Sequence, residues 1–385
     1  MSGSAKVRRP TVLLALGWYV HEIVMGVTRY AREAGWILYD APSHTRVMAP
    51  AGKCDGIITL LPSRRHKEMI DFCLATKLPV VDLSDQLPDL PFPRVLPDNQ
   101  AIGRMAAEHL LARGFLNFAF LEVDPSAPVV SERKAGFQAA VKEAKRKFHE
   151  LDASVQAKSG EMSKVVSWLV PRLKKLPKPL AIMAQHDGEA IIILQACQEA
   201  GVRIPDEVAV IGVDNDPIYC ELGLLPLSSV DSNREMLGYR AADLLNTLME
   251  GGKVPALPIR VQPTGVVMRK STEVMAMADP QVSRALRFIN ENFHKSIGVD
   301  DVVAVSASSR RNLYNKFARE VGRSINQELS RQRIAHVKRL LLKSGEKLDS
   351  IALESGFDGA EGLIKSFKYH EGISPTEFRE RNRPS

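Results

Sequence analysis

The chain has 385 residues, with 52 Lys and Arg against 45 Asp and Glu, and a formal net charge of +7. Its hydrophobic fraction of 45% and charged fraction of 25% are those of an ordinary globular protein, which excludes disordered, collagen-like and coiled-coil classes. Its apolar stretches are far shorter than the roughly 20 residues of a spanning helix, so no membrane association is expected. The length suggests two or three domains.

The excess positive charge lies in the last quarter of the chain. From Pro280 onward there are 19 Lys and Arg against 13 Asp and Glu, whereas the preceding residues hold 33 against 32. A near-neutral body with a small basic end suggests a domain that binds a polyanion. Charge alone would equally suit a solvated surface.

Cysteine usage and the N-terminal segment indicate the compartment. Basic residues before the apolar segment 11–20 loosely mimic a signal peptide, but no small-x-small cleavage site follows. We therefore expect a cytoplasmic protein whose first buried strand spans 12–16. The widely spaced cysteines are typical of buried thiols in a reducing compartment: Cys54, Cys73, Cys197 and Cys220.

Residues 11–268 alternate short apolar runs with amphipathic segments, which predicts an α/β fold with right-handed crossovers. Short, continuous apolar runs are typical of parallel strands that are buried on both faces. The strands are predicted at 12–16, 56–60, 80–81, 118–121, 181–184 and 208–213. The clearest helices are predicted at 22–34, 100–112 and 187–200.

Polar residues follow three of the predicted strands, at the sheet edge where such folds bind ligands. Glu122 and Asp124 follow one strand, 185–187 follow the next, and 214–216 follow a third. Carboxylates and amides at several strand ends suit a polyhydroxylated ligand, because they can pair with neighbouring hydroxyls. Asp187 could instead cap the helix that follows it.

Catalytic and metal-binding patterns do not emerge from the sequence. The motifs GxSxG, HExxH and GxGxxG and the P-loop are all missing, and nine histidines lie without metal-ligand spacing. We therefore expect no enzymatic activity, no catalytic residue, no metal and no cofactor.

Four motifs of the body resemble, in order, those of LacI-type regulator sensors. They are GxxAAxHLxxxG at 103–114, RxxGF at 133–137, IGxDN at 211–215 and GxxAAxLL at 238–245. The resemblance implies the fold of periplasmic sugar-binding proteins, with two α/β lobes and a ligand between them. The family's N-terminal helix-turn-helix module is not expected here, because the first strand begins near residue 11.

The same resemblance implies which residues line the ligand cleft. Tyr19 is a weaker candidate, like Trp18, because either ring could stack on a sugar or lie in the core. The cleft residues implied are Tyr19, Arg133, Asp187, Asp214 and Asn215.

The basic end contains a repeat. Leu313 and Phe317 recur 50 residues later as Leu363 and Phe367, which indicates two related units of two short helices each. The helices are predicted at 300–306 and 308–320, and again at 349–355 and 359–370. Apolar residues at i and i+4 face the core and leave a polar outer face.

The closing segment resembles the AraC-type DNA-binding domain, whose pattern is GFxxxxxFxxxFKxxxGxxPxxFR. It begins here at Gly356-Phe357 and ends at Phe378-Arg379, with Leu363 in place of one aromatic residue. The resemblance implies that two recognition helices enter successive major-groove turns. The residues expected to contact DNA are Arg310, Arg311, Tyr314, Asn315, Glu361, Ile364 and Lys365.

Individual roles follow from groove chemistry. Glu361 could accept a hydrogen bond from a cytosine amino group, or could lie off the interface in solvent. Arg310, Arg319 and Arg323 are expected to contact phosphate, which positions a protein without reading sequence.

We therefore expect a two-lobed, periplasmic-binding-protein-like α/β sensor at 1–272, a linker at 273–281 and an all-α AraC-type domain with two helix-turn-helix motifs at 282–385. This combination resembles a family of bacterial xylose-operon regulators. The expected partners are double-stranded DNA, a sugar effector and a second copy of the chain. D-xylose is favoured by resemblance, with other pentoses and hexoses left open. A periplasmic receptor, an enzyme and a general architectural DNA binder are the rival interpretations.

Overall fold

The computed structural model describes residues 8–40, 54–61, 66–125, 127–221, 223, 225–273, 279–343 and 345–382. They form two α/β lobes and a C-terminal all-helical region, as the sequence predicts. The strands are β1 (Thr11–Leu16), β2 (Ile37–Tyr39), β3 (Gly56–Leu60), β4 (Val80–Asp82), β5 (Val95–Pro97), β6 (Asn117–Glu122), β7 (Lys147–Asp152), β8 (Leu180–Ala184), β9 (Val208–Val213), β10 (Ser228–Asp231), β11 (Ile259–Val261) and β12 (Gly265–Val267).

The helices of the two lobes lie between these strands. They are α1 (His21–Ala34), α2 (Lys67–Ala75), α3 (Asn99–Leu111), α4 (Pro128–Glu143), α5 (Ser154–Ala157), α6 (Met162–Lys175), α7 (Asp187–Ala200), α8 (Pro217–Glu221) and α9 (Arg234–Met249). A short 3-10 helix, Lys270–Thr272, ends this part of the chain.

Each lobe is built on its own sheet. The first has a parallel sheet in the order β2-β1-β3-β4, with the parallel pair β5-β11 beside it. The second has the order β12-β10-β9-β8-β6-β7, parallel except for β12. Strands β3, β6, β8 and β9 are buried at every residue, which is why they read as continuous apolar runs.

Of the five three-residue strands in the described ranges, four were not predicted: β2, β5, β11 and β12. The fifth, β4, was predicted from its two buried valines. A three-residue strand is too short to show a periodicity. Strand β7 was also missed, because its sequence KFHELD is mostly polar, as suits the edge of a sheet.

Glycines explain three of the family motifs, because they let paired helices touch through their backbones. In the second lobe, a Cβ on Gly103 of α3 would lie 2.0 Å from the carbonyl oxygen of Arg133 in α4. Gly136 of α4 meets the backbone of α3 equally closely. The first lobe repeats the arrangement between α1 and α9, through Gly26 and Gly238.

The C-terminal region contains two helical cores, as the repeat predicts. Leu313 and Phe317 lie in the first and Leu363 and Phe367 in the second, all fully buried. The helices are α10 (Pro280–Asn292), α11 (Val299–Ser306), α12 (Arg310–Val321), α13 (Ile325–Lys343), α14 (Leu348–Glu354), α15 (Ala360–Glu371) and α16 (Pro375–Asn382).

Helix α13 joins the two units and was not predicted. Its early residues Ile325 and Leu329 pack in the first core, and its later residues Val337 and Leu341 pack in the second. The apolar residues of α13 therefore pack against two different cores. They do not form one continuous apolar face, which is the pattern that identifies an amphipathic helix in a sequence.

Two further observations concern burial and hydropathy. All four cysteines are buried free thiols. Within the ranges given above, the structure has no helix that is both long and apolar enough to cross a membrane.

The close helix pair of the second lobe can be tested with Gly103→Ala. The added methyl group would collide with the α4 backbone, so we expect the free energy of unfolding to fall by about 2–4 kcal/mol. Gly362→Ala, in α15, is the matched control because nothing lies within 4 Å of its Cβ position. Equal stability of the two variants in urea denaturation would contradict the proposed packing.

Candidate functional site

The polar ends of β8 and β9 meet at Asp214, which follows β9, whereas Glu122 at the end of β6 pairs with Lys134 Nζ at 2.9 Å. Asp214 has φ of 102° and Asn215 has φ of 55°, so two consecutive non-glycine residues adopt left-handed backbone conformations. Such strained conformations cluster at ligand sites, where the surrounding structure holds them in place.

Each carboxylate oxygen of Asp214 has two hydrogen-bonding or ionic neighbours. Oδ1 accepts from the Ser232 hydroxyl at 2.8 Å and lies 3.6 Å from Arg133 Nη2. Oδ2 lies 2.8 Å from Arg234 Nη2 and 3.0 Å from His186 Nδ1. The neighbours come from both lobes, because Arg133 and His186 belong to the second lobe and Arg234 opens α9 of the first.

Arg133 is locked in place beside Asp214. Its side chain is only 2% exposed. Its Nε donates to Asn99 Oδ1 at 3.0 Å, and its Nη1 donates to the carbonyl oxygen of Gln185 at 2.5 Å. Nη1 also lies 2.9 Å from His186 Nδ1. Because an ionised carboxylate can only accept hydrogen bonds, we assign a proton to His186 Nδ1, which then donates to Asp214.

The charge of Asp214 is maintained by these cations. Burial alone would raise the pKa of its carboxyl, but Arg234 and Arg133 hold that pKa well below its ordinary value. The cleft therefore presents a carboxylate that is ionised, buried and oriented.

Asp187 supports the loop after β9 and does not cap α7. Its Oδ1 accepts from the Ser229 hydroxyl at 2.6 Å, and its Oδ2 accepts from the backbone N–H of Asp216 at 2.8 Å. The helix starts at Asp187 itself without a side-chain cap, so the capping interpretation is wrong. A Cβ on Gly212 would lie 2.1 Å from Asp187 Oδ1, which explains the glycine of the IGxDN motif.

The other predicted cleft residues lie in different surroundings. Asn215 Oδ1 accepts from Arg269 Nη2 at 3.0 Å. Tyr19 is 53% exposed and Trp18 is 54% exposed, so neither ring lies in the core. Both follow the carboxyl end of β1, and the Tyr19 hydroxyl lies 3.4 Å from His21 Nδ1.

Sequence reasoning missed Ser232 and Arg234 as partners of Asp214, and it noted His186 without assigning it a role. Ser232 and Arg234 lie in the segment between β10 and α9, where the chain passes from one lobe to the other. The available signal was the short polar run 231–235, which precedes the GxxAAxLL motif.

The predicted DNA-contacting residues lie on two helices of the C-terminal region. In α12, Arg310, Arg311 and Asn315 are exposed and Tyr314 is half-buried. Arg310 Nη1 lies 2.6 Å from Asp300 Oδ1. In α15 the exposed residues are Glu361, Ile364 and Lys365.

The expected phosphate contacts differ between two arginines. Arg319 is exposed on α12. Arg323 instead points to Glu328, with Nη1 3.4 Å from an oxygen of that fully buried carboxylate. The prediction of a phosphate contact is therefore wrong for Arg323, because a buried acid on α13 draws its charge inward.

Metal binding finds no support in the described ranges, where no group of three or more His, Cys, Asp or Glu side chains is arranged to hold an ion.

Because Asp187 is buried, we expect the stability of the protein to depend on pH. Burial, and then the negative charge of Asp214, raise the pKa of Asp187 from 3.8 to about 7. The folded protein therefore keeps a proton that the unfolded chain releases near pH 4, so stability falls as pH rises between about 4 and 7.

In Asp187→Asn this contribution is removed. We expect the free energy of unfolding of the variant, relative to wild type, to increase between pH 4.5 and pH 8. Urea denaturation at several pH values measures this difference. A difference that stays constant with pH would contradict a neutral Asp187 in the folded protein.

Comparison with known proteins agrees with this architecture. Residues 107–272 match the model of a periplasmic binding protein-like domain, and residues 303–381 match that of a helix-turn-helix domain. The xylose operon regulatory protein of Haemophilus influenzae is 29% identical over 372 residues, which cover 94% of this chain and 95% of that protein. Its namesake in Escherichia coli K12 is 29% identical over 290 residues, covering 74% and 73%.

A solved structure extends the similarity to the whole fold. The structure of the xylose-binding transcription activator xylR matches with a TM-score of 0.60 and 25% identity, covering 98% of this chain and all of that one. These relatives are regulators, not enzymes. The chain therefore carries a periplasmic-binding-protein-like domain followed by a helix-turn-helix domain, and it is homologous to xylose operon regulatory proteins.

Proposed function

We propose that the chain senses D-xylose between its two lobes and binds operator DNA through its two helix-turn-helix units. The observation that carries the sugar site is the ionised Asp214 carboxylate, oriented by side chains of both lobes. A carboxylate can accept hydrogen bonds from two neighbouring hydroxyls, which is the feature that all pentoses and hexoses share. The names of the relatives favour D-xylose among them.

The aromatic residues of the first lobe complement this carboxylate. Trp18 and Tyr19 present exposed rings beyond the carboxyl end of β1. An exposed ring in a cleft can stack on the apolar face of a sugar while Asp214 and Arg133 bind its hydroxyls. Closure of the lobes would bring both kinds of contact onto one ligand.

The sensor is joined to the DNA-binding region by direct contacts as well as by the linker. Arg146, in the second lobe, donates to the carbonyl oxygen of Glu320 near the end of α12. Glu108 of α3 in the second lobe lies close enough to Arg331 of α13 for their opposite charges to attract. A movement of the second lobe would therefore act on the first recognition helix, which is the differential contact that allosteric control requires.

The domain limits and assembly remain part of this proposal. We assign the sensor to 1–272, the linker to 273–281 and the DNA-binding domain to 282–385. Residues 274–278 of the linker lie outside the described ranges, and α10 begins at Pro280. We place the protein in the cytoplasm as a homodimer, because two linked DNA-binding domains raise the effective concentration at paired sites.

The sugar proposal predicts a thermal shift that depends on Asp214. D-xylose at a large excess over its Kd should raise the unfolding temperature of the wild type, because a ligand that binds the folded state stabilises it. Asp214→Asn should abolish that shift while DNA binding without sugar persists. Asn is the suitable replacement because it tolerates left-handed backbone conformations.

The matched control is Asp206→Asn, which removes an exposed acid of the same lobe. It should respond to D-xylose like the wild type. L-arabinose, D-ribose, D-glucose and D-galactose are the competing ligands. A larger thermal shift with one of these sugars would identify that sugar as the ligand in place of D-xylose. A thermal shift in Asp214→Asn equal to that of the wild type would show that Asp214 does not bind the sugar.

The DNA proposal predicts different effects for two exposed side chains. Glu361→Ala should relax base preference at one position, by about 1–3 kcal/mol, because base-edge contacts discriminate between sequences. Arg319→Ala should weaken binding to all sequences alike and reduce its salt dependence. Binding-site selection from random DNA measures both, and an unchanged profile for Glu361→Ala would show that α15 is oriented differently.

A further inference from the structure

Arg234 occupies one hydrogen-bonding position of the Asp214 carboxylate. Arg234 Nη2 lies 2.8 Å from Asp214 Oδ2, the shortest ionic contact of this carboxylate. His186 Nδ1 lies 3.0 Å from the same oxygen, so both acceptor positions of Oδ2 are filled. Oδ1 accepts from the Ser232 hydroxyl, and Arg133 Nη2 at 3.6 Å is an ionic neighbour that is too distant for a hydrogen bond. Two neighbouring sugar hydroxyls that bind one to each oxygen must therefore displace a neighbour from Oδ2.

The neighbours of Asp214 differ in how easily they can leave. Arg133 is fixed by Asn99 and the Gln185 carbonyl group. Arg234 is more exposed than Arg133, and it has a second acid nearby, with its Nη1 3.8 Å from Asp216 Oδ2. Of the two neighbours of Oδ2, His186 is the more exposed, at 37% against 22%, but Arg234 has a second acid within 4 Å. Transfer to Asp216 would keep the guanidinium paired, which lowers the cost of displacing it.

We propose that Arg234 is a built-in competitor of the sugar, bound to Asp214 in the free protein and transferred to Asp216 when the ligand binds. The proposal rests on the sugar-binding function proposed above. It makes Arg234 a positioning residue that sets the affinity, because part of the sugar's binding energy is used to break the Asp214–Arg234 ion pair. Because Arg234 opens α9 of the first lobe, the transfer also changes a bond between the lobes.

The decisive variant is Arg234→Met, which removes the charge and keeps the length of the apolar stem. We expect the Kd for D-xylose, measured by calorimetry, to decrease about tenfold, the equivalent of one charge-assisted hydrogen bond that no longer needs to break. A residue that merely supports the fold, or one that binds the sugar directly, would give weaker binding on removal. Arg234→Lys keeps the competing charge and should stay near the wild-type Kd.

A second variant removes the place to which Arg234 moves. In Asp216→Asn the displaced guanidinium loses its acceptor, so we expect the Kd to increase several-fold. The double variant Arg234→Met/Asp216→Asn should bind as tightly as Arg234→Met alone, because no arginine then needs the acceptor. This non-additivity distinguishes competition at Asp214 from two independent effects.

The matched control is Arg260→Met. Arg260 on β11 makes two contacts of 2.8 and 2.9 Å to Glu132 on α4, so it also joins the lobes but without touching Asp214. The Kd of Arg260→Met for D-xylose should remain within about twofold of the wild-type value, because losing this contact between the lobes leaves the Asp214–Arg234 ion pair in place.

The outcomes separate this inference from the function on which it rests. Wild-type binding of D-xylose, combined with an unchanged or weaker Kd in a folded Arg234→Met, would overturn the competitor role alone. If Arg234→Met does not fold, an unchanged Kd in Asp216→Asn overturns it. If neither the wild type nor Arg234→Met binds D-xylose or any of the other sugars tested, both proposals are overturned.

Discussion

The carboxylate of Asp214 is the point where the two lobes of the sensor are tied together. A charged group that is this deeply buried is stable only when it is paired and hydrogen-bonded. Arg133 supplies a fixed partner from the second lobe and Arg234 a displaceable one from the first. Asp187 bonds to Ser229 and to the backbone of Asp216, and it thereby supports the loop that carries Asp214 in its left-handed conformation.

The two lobes use the same construction around this point. Each has buried parallel strands, and each has a helix pair whose glycines bring two backbones into contact. Close packing of this kind makes each lobe rigid, because even one methyl group would separate the helices. Motion is therefore expected between the lobes and not within them, so an ion pair that spans the cleft has a direct influence on the lobe arrangement.

The sequence predicted those features that depend on local pattern. Buried strands such as β8 and β9 were visible because every residue in them is apolar or small, and the outer face of α12 was visible because Leu313 and Phe317 mark its inner one. The 50-residue repeat identified both helix-turn-helix units for the same reason.

Features that depend on two distant segments could not be predicted in this way. Arg234 reaches Asp214 because the chain crosses between the lobes just before α9. The spacing of apolar residues in the sequence cannot show where such a crossing occurs. Arg323 turns inward because Glu328 is buried on the next helix, which the sequence pattern did not reveal. The role of Asp187 depends on Ser229, a residue of a neighbouring strand 42 positions away.

Coupling between the cleft and the DNA-binding helices is the central claim, and it can be measured directly. Fluorescence anisotropy of the full-length protein on its promoter DNA gives the Kd for DNA with and without saturating D-xylose at fixed salt. The account predicts that the sugar changes this Kd by fivefold or more, in the range of measured allosteric couplings. An equal Kd in both conditions, with calorimetry showing that the sugar is bound, would contradict it.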